Sequence, residues 1–361
     1  MSMFELAETA VPPQKEVAFH RLMSGPRVPV YVLGRNKYAQ GVARAVSVKA
    51  FIDDFTTESA YMEKPIIRMR ELPADCIVVS CVVAGNSLTA LDRLESAGVR
   101  EAIDYFTLSR LSPDVFSPVD YCARNRQDII ENATRYDWVY NLLVDDVSKR
   151  HFKKVVDFRL NMDVEHMRGF TLRIDEQYFE DFLPRNPAEV FVDGGGYDGK
   201  TTRQFVAWNK EYRRVYYFEP APAMMQASRQ NLSDVRDIRF IQKGLFSRND
   251  RLRFDEDADQ ASSISPTGQT EIEVVRLDDE VEEAITFIKM DIEGSEYEAL
   301  HGAANHIRRE MPTIAVCIYH DQRDFWRIPL RVMELNDCYS LHVRHYTQGV
   351  HETVLFFVAQ Q

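Results

Sequence analysis

The ten residues from Val190 to Gly199 constrain the fold of this chain more than any other stretch. Glu189-Val190-Phe191-Val192-Asp193 is a short apolar run of strand type. It breaks into Gly194-Gly195-Gly196-Tyr197-Asp198-Gly199, after which Thr201, Phe205 and Val206 resume at helical spacing. A strand, a glycine turn and a helix in that order allow positive φ, let a ligand approach the main chain, and offer unpaired N–H groups at the helix start. The acid lies ahead of the glycines, unlike the G-x-G-x-x-G of dinucleotide folds, and this placement suits a ligand with an amino group and a carboxylate. A second strand, Val215-Tyr216-Tyr217-Phe218, ends in Glu219, about 20 residues past the turn, where doubly wound nucleotide folds place the acid that accepts ribose hydroxyls. Together Asp193 and Glu219 describe a pocket for a nucleoside that bears an amino acid.

A chain of 361 residues is long enough for two domains. Its net charge of −12, from 56 acids against 44 bases, argues against nucleic acid or an anionic membrane as the main partner, leaving room only for a local basic patch. No apolar run has membrane-spanning length, and residues 1–9 lack a basic stretch followed by an apolar core, so neither anchor nor signal peptide is expected and a cytoplasmic location is. Five cysteines, without C-x-x-C spacing, read as reduced buried thiols.

Residues 1–26 read as a tail. From there to residue 111 the pattern alternates: strands at Val28–Leu33, Lys49–Asp54, Pro65–Ile67, Cys76–Cys81 and Glu101–Asp104, with helical spacing after the first and near Leu88–Ala97. This predicts a small Rossmann-like α/β domain over 27–111. It lacks the middle glycine of a dinucleotide fingerprint, and Arg35-Asn36-Lys37 would crowd a pyrophosphate, so a structural or substrate-presenting role is favoured over redox chemistry. Asp53 and Asp54 read as solvated strand-end acids before ligands. Residues 112–184 carry long helical patterns and read as a connector, with Ser148 as the cap of a helix bearing Phe152, Val155 and Val156.

Residues 185–361 form the second α/β domain. The acidic run Asp255–Asp259 and the polar Ser262–Pro266 read as a solvated loop that could act as a lid. A single helix is expected to carry Leu300, Ala303, Ala304 and Ile307, another is expected to begin at Pro329, and Tyr339–Tyr346 with Thr353–Val358 make a final strand pair. Four strands of this half end in polar groups: Asp193, Glu219, Asp291 with Glu293, and His320. In an open α/β sheet such ends gather along one edge, where ligands bind.

Phe-Val-Asp-Gly-Gly-Gly-Tyr-Asp-Gly at 191–199, Phe-Glu-Pro at 218–220, Phe-Ile-Lys-Met-Asp-Ile-Glu-Gly-Ser-Glu at 287–296 and Tyr-His-Asp at 319–321 closely resemble the FkbM family of S-adenosylmethionine-dependent methyltransferases. The resemblance runs from about Leu142 to the C-terminus and leaves the first domain outside. One departure is Gly195-Gly196, where the family often has Gly-Ala. The resemblance implies a mostly parallel methyltransferase sheet with its last strand antiparallel. It also implies S-adenosylmethionine as cofactor, with Asp193, Gly194, Gly195, Gly196 and Asp198 around the methionine part, Glu219 on the ribose, Lys243, Gly244 and Leu245 bordering the adenine, and Asp291 as a further contact. The family implies methylation of oxygen on a small-molecule or glycan acceptor such as a sugar or hydroxylated natural product. Asp291, Glu293 and His320 are the candidates for the base, His320 being favoured by its ordinary pKa near 6.5. A divalent metal held by the same three is the lesser reading, and no metal site is assigned. The competing readings are a nicotinamide-dependent sugar oxidoreductase using the first domain, and a catalytically silent cofactor-binding scaffold.

Overall fold

The strand-then-helix alternation of the sequence builds two α/β units, seen in a computed structural model that describes residues 3–4, 6, 9–25, 27–255, 263–264 and 268–360. One unit comprises Met1–Ala133, Lys153–Leu172 and Tyr346–His351; the other comprises Thr134–Phe152, Arg173–His345 and Glu352–Gln361. Residues 112–184 are therefore divided between the units. Among the described residues no helix is long and apolar enough to cross a membrane.

The first unit opens with α1 (Pro13–Met23), within the stretch read as a tail. Proline starts this helix without cost because the first helical N–H has no partner in any case. Ala18 and Leu22, four residues apart, are each only 1% exposed, and Lys15 reaches Asp104 at 2.8 Å. A segment so polar in sequence is helical here because one narrow stripe docks. The sheet follows from β1 (Val30–Leu33), β2 (Val48–Ile52), β3 (Ala60–Tyr61), β4 (Lys64–Ile67), β5 (Ile77–Ser80) and β6 (Glu101–Asp104), in the order β3-β4-β2-β1-β5-β6. All neighbours are parallel except β3 with β4. The helices are α2 (Lys37–Ala45), α3 (Ser87–Ser96), α4 (Tyr105–Leu111) and α5 (Asn125–Glu131).

Helices α6 (Ala133–Leu142) and α7 (Asp146–Asn161) carry the chain between the units. Ser148 lies inside α7 and is not its cap. Asp145 holds that role, accepting the Ser148 N–H at 2.7 Å and the Ser148 hydroxyl at 2.8 Å. A carboxylate accepts more strongly than a hydroxyl at the positive end of a helix, so the start shifts toward it.

In the second unit the chain forms β7 (Val190–Gly194), α8 (Lys200–Trp208), β8 (Arg214–Phe218), α9 (Pro222–Asn231), β9 (Ile238–Ile241) and β10 (Gly244–Leu245). It continues through β11 (Asp250–Asp255), β12 (Ser263–Ile264), β13 (Thr270–Val275), α10 (Leu277–Glu280), β14 (Phe287–Met290), α11 (Glu296–Gly302) and α12 (Ala304–Glu310). The last elements are β15 (Thr313–Cys317), α13 (Asp324–Leu335), β16 (Tyr339–His345) and β17 (Thr353–Ala359). The main sheet runs β16-β17-β15-β14-β7-β8-β9, with β17 antiparallel to both of its neighbours and the rest parallel, as expected. A smaller sheet runs β10-β13-β11-β12. Most of the segment suggested as a lid, Asp255–Asp259 and Ser262–Pro266, lies outside the described residues.

Two helices depart from expectation. The one helix expected through Leu300 and Ile307 is broken at Ala303 into α11 and α12, because Gly302 lies so close to the Phe246 carbonyl that a Cβ there would sit 2.0 Å from its oxygen. Helix α13 starts at Asp324, five residues before Pro329, so the proline lies inside it and removes one N–H from the ladder. Under the main sheet Phe191 stacks on Phe205 with centroids 4.1 Å apart and meets Phe287 edge-on at 5.3 Å, which fixes β7 against α8 and β14.

Replacing the cap tests the assignment at α7. Asp145→Ala is expected to lower the unfolding free energy by about 1–2 kcal/mol in urea melts, whereas Asp145→Asn, which can still accept the Ser148 N–H, retains most of it.

Candidate functional site

The strand order places β8 and β9 on one side of β7, and β14 and β15 on the other, so consecutive connections diverge between β7 and β14. Asp193 and Lys289 face each other in register across this divide. Both are wholly buried, 3.1 Å apart. Asp193 also accepts the Thr202 hydroxyl at 2.7 Å, while the Lys289 ammonium donates to the Gly194 and Gly195 carbonyls at 3.1 and 2.7 Å. Burial opposes the charge on Lys289, yet Asp193 and Asp291 hold its pKa above the ordinary lysine value. Asp193 is therefore bound up inside the protein and does not offer a carboxylate to a ligand's amino group.

The glycines also serve the chain itself. At Gly195, φ is +72°, and an added Cβ would lie 1.8 Å from the Asp291 carbonyl oxygen; at Gly196 it would lie 2.2 Å from the Tyr217 ring. The departure to glycine at 196 thus has a local cause in Tyr217, whose hydroxyl reaches over the turn to the Tyr197 carbonyl at 2.8 Å. The N–H groups of Gly195 and Gly196 both donate to the Phe218 carbonyl, and that of Tyr197 donates to Glu219. Asp198 accepts the Lys200 N–H at the start of α8. The turn is held by its own bonds, where the sequence reading had left those donors open.

Glu219 lies at the end of β8 and is 6% exposed. One oxygen accepts the Ala221 N–H at 2.8 Å and the other the Tyr197 N–H at 3.0 Å, leaving acceptor capacity on both. Burial pushes its carboxyl up to about 7, against the pull of those two N–H groups and of Lys289. Beyond β9, Lys243 pairs with Glu280 at 2.8 Å, and Gly244–Leu245 are the residues of β10. The Leu245 side chain abuts Gly194, within 2.9 Å of where its Cβ would be. A hollow of about 310 Å³ beside β10 and β13 has Lys243, Glu273 and Glu280 on its wall and shares only Lys243 with the expected site.

At the ends of β14 and β15 the remaining residues converge. His320, its side chain fully buried, has Nδ1 at 2.9 Å from Glu296, and Nε2 at 3.3 Å from Glu293 and 3.5 Å from Asp291. Glu293 reaches it from a left-handed backbone, φ +54°, followed by Gly294 at +95°, the turn that leads from β14 into α11. Burial disfavours the charged ring, but Glu296, Glu293 and Asp291 outweigh it and hold His320 well above the ordinary histidine range. That direction favours the imidazolium, a form that donates and does not act as the base that the sequence favoured. Burial likewise opposes ionisation of Asp291, but His320, Lys289 and the Tyr178 hydroxyl keep it below the usual carboxylate range.

Three residues to which the sequence reading gave no role in the site, Tyr178, Cys317 and Glu352, complete the cluster. Tyr178, buried and at φ +73°, donates to Asp291 at 2.8 Å and lies 3.2 Å from the Cys317 sulfur, with the Lys289 ammonium 5.3 Å from its ring centre. Glu352, also left-handed at φ +66°, accepts from Gln177 at 2.6 Å; burial and Asp291 push its carboxyl up to about 7. Asp291, Cys317 and Glu352 bring one atom each within 4.8 Å of one another, as do Asp291, Glu296 and His320. Burial pushes the Cys317 thiol well up, and His320 brings its ring into the second set. The ends thus form one continuous field: Glu219 feels Lys289 and Asp193, Lys289 feels Asp291, and Asp291 feels His320.

In the first unit the starts of α2 and α3 each give an N–H to a side chain of the protein. Asn36 caps α2 through the Ala39 N–H and ties back to the Cys81 carbonyl. The N–H and hydroxyl of Thr89, in the first turn of α3, both donate to the Gln348 side-chain oxygen, and the Gln348 N–H donates to the Gly85 carbonyl.

Residues 193–347 match the Methyltransferase FkbM domain family. Among solved structures, the methyltransferase FkbM of Methylobacillus flagellatus KT is similar at a TM-score of 0.77 and 24% identity, over 96% of this chain and 94% of that one. The fold likeness therefore includes the first unit, which the sequence motifs had left outside. A putative rRNA-methylase from Clostridium thermocellum aligns with 51% of this chain and 93% of its own at 11% identity and a TM-score of 0.34. Aeropyrum pernix fibrillarin, in complex with S-adenosyl-L-methionine, aligns with 48% and 67% at 13% identity and a TM-score of 0.32. No curated protein matches the chain.

Lys289→Met leaves Asp193 buried without its cation and is expected to cost about 3–5 kcal/mol in denaturant melts, part of which Asp193→Asn restores in the double variant. Glu219 gives a pH signature. Its folded pKa, about 7, lies above the unfolded 4.5, so its contribution to stability is full below 4.5 and lost as pH rises through about 7. Glu219→Gln should flatten the dependence of unfolding free energy on pH across that window; an unchanged slope would show that the carboxyl is not raised.

Proposed function

Because residues 193–347 carry a methyltransferase FkbM domain, we propose that the second unit binds S-adenosylmethionine at the ends of β7, β8 and β14 and methylates a hydroxyl of a sugar, glycan or related natural product. The observation that carries this reading is Glu219. Each of its oxygens is fixed by one backbone N–H and can accept a second donor, which suits the vicinal hydroxyls of a ribose. Two such donors would also draw the carboxyl back toward its ionised form.

When bound, S-adenosylmethionine supplies a methyl group already activated on a sulfonium. What remains for the chain is to hold the acceptor hydroxyl in line and to receive its proton. Asp291, ionised, accepts and orients the hydroxyl; His320 as imidazolium fixes Asp291 and Glu293 in place. Glu352, with a pKa near neutrality beside Asp291, is the group suited to take the proton. No observation favours the nicotinamide reading, since the helix starts of the first unit are capped by Asn36 and Gln348.

Calorimetry with S-adenosylhomocysteine should give binding that Glu219→Ala weakens about tenfold or more, while circular dichroism stays unchanged. Methyl transfer is then measured against a panel of nucleotide sugars and glycans. Glu352→Gln is expected to lower kcat roughly 100-fold and to remove a pH dependence near 7, with the affinity for S-adenosylhomocysteine retained. Equal affinity in wild type and Glu219→Ala, or tight NAD binding in its place, would defeat the assignment.

A further inference from the structure

Two neighbouring residues of one turn meet the two carboxylates to which the methyl-transfer reading gives the acceptor's hydroxyl and its proton. The turn at Ile174–Glu176 ends at Gln177, whose N–H donates to the Ile174 carbonyl at 3.3 Å. Gln177 and Tyr178 are each only 3% exposed. The Gln177 side-chain amide donates to Glu352 Oε2 at 2.6 Å, and the Tyr178 hydroxyl donates to Asp291 Oδ2 at 2.8 Å. From this arrangement, and resting on the reading of Glu352 as the proton acceptor, we infer that Gln177 is a positioning residue for the proton transfer, holding Glu352 both as carboxylate and as carboxylic acid.

Glu352 has one held oxygen and one open one. Among the described residues Gln177 is the sole hydrogen-bond donor to it, and the residue is only part-buried, so Oε1 is left for an incoming hydroxyl. A glutamate side chain has several free torsions, and pinning Oε2 removes most of that freedom before the acceptor arrives. Strained backbone holds the contact from both sides: φ is +66° at Glu352 and +73° at Tyr178, the residue after Gln177. Such conformations are unfavourable for residues with a Cβ and gather at functional sites, where the surroundings enforce them.

The residue type matters as much as the distance. A carboxylate only accepts hydrogen bonds, whereas a carboxylic acid also has an O–H to donate. A side-chain amide carries a donor and an acceptor, so a half-turn of the Gln177 amide lets it partner Glu352 before and after the proton arrives. A lysine or arginine in its place would serve the ionised form alone and weaken it as a base. The charges around Glu352 leave it near the crossover between the two forms. Burial, Asp291 and Glu293 raise its pKa, Gln177 and His320 lower it, and the balance is about 7. Tyr178, Cys317 and Tyr319 also feel its charge, and burial foremost pushes each of them well up.

The test titrates Glu352 in the full chain by NMR of labelled glutamate carboxyl carbons, its signal assigned by loss in Glu352→Gln. Gln177→Met, which keeps the length and removes the amide, should raise the midpoint by about one pH unit or more, as expected for losing a hydrogen bond to the ionised form. Gln177→Lys should lower it by about one unit or more. Shifts of opposite sign are a signature that a merely structural role does not produce. With a methylated acceptor in hand, the pH dependence of kcat should follow those midpoints, and Gln177→Met should lower kcat roughly tenfold while binding of S-adenosylhomocysteine is retained. Should either variant fail to fold, the direction of shift in the other decides. A midpoint unmoved by the substitutions, or moved the same way by both, would overturn the inference. Undiminished kcat in Glu352→Gln would instead defeat the reading of Glu352 as the proton acceptor, and the inference with it, whatever the midpoints do.

Discussion

The pairing of Lys289 with Asp193 is the contact on which the second unit depends. Each residue alone is a charge in a place from which water is excluded, and neither is tolerable there without the other. Together, on adjacent strands and in register, they lock β14 to β7 at the position where the chain direction diverges. The ammonium also gathers the Gly194 and Gly195 carbonyls, so the shape of the turn follows from the same ion pair. The Asp291 carbonyl then presses against Gly195, which carries the geometry of the turn directly into the next strand end.

This interdependence changes the meaning of the glycine-rich stretch. In sequence, an acid and three glycines look like a receptacle, because a ligand and a neighbouring strand make the same demand for space and positive φ. In the fold the demand comes from Asp291 and Tyr217, and on the proposed reading the receptive group is Glu219, one strand further out. Its two backbone donors leave it half satisfied, and its burial leaves it close to neutral.

The strand order and the antiparallel last strand followed from the family resemblance, whereas the convergence of Asp291, Glu293 and His320 could be read from apolar runs and their polar ends, since β-strands in open sheets place their carboxyl ends together. The protonation of His320 could not, because it depends on Glu296, Glu293 and Asp291 all facing one ring. The role of Glu352, and Tyr178 altogether, were hidden for a different reason. One follows a loop 61 residues after Asp291 and the other precedes β7 by a dozen, so no spacing links them to the motif. Similarly, α1 was missed because only Ala18 and Leu22 among its residues are buried, too few for periodicity to stand out.

Tyr178 gives the site a built-in occupant. Its phenol donates a hydrogen bond to Asp291 from within the cluster, as an alcohol would. On the proposed reading, an incoming hydroxyl competes with that phenol for the carboxylate. The methyl ether it becomes has no proton left to give, so the tyrosine can reclaim Asp291 and the finished molecule loses its strongest grip. Turnover would then be favoured by a side chain that imitates the starting material and not the product.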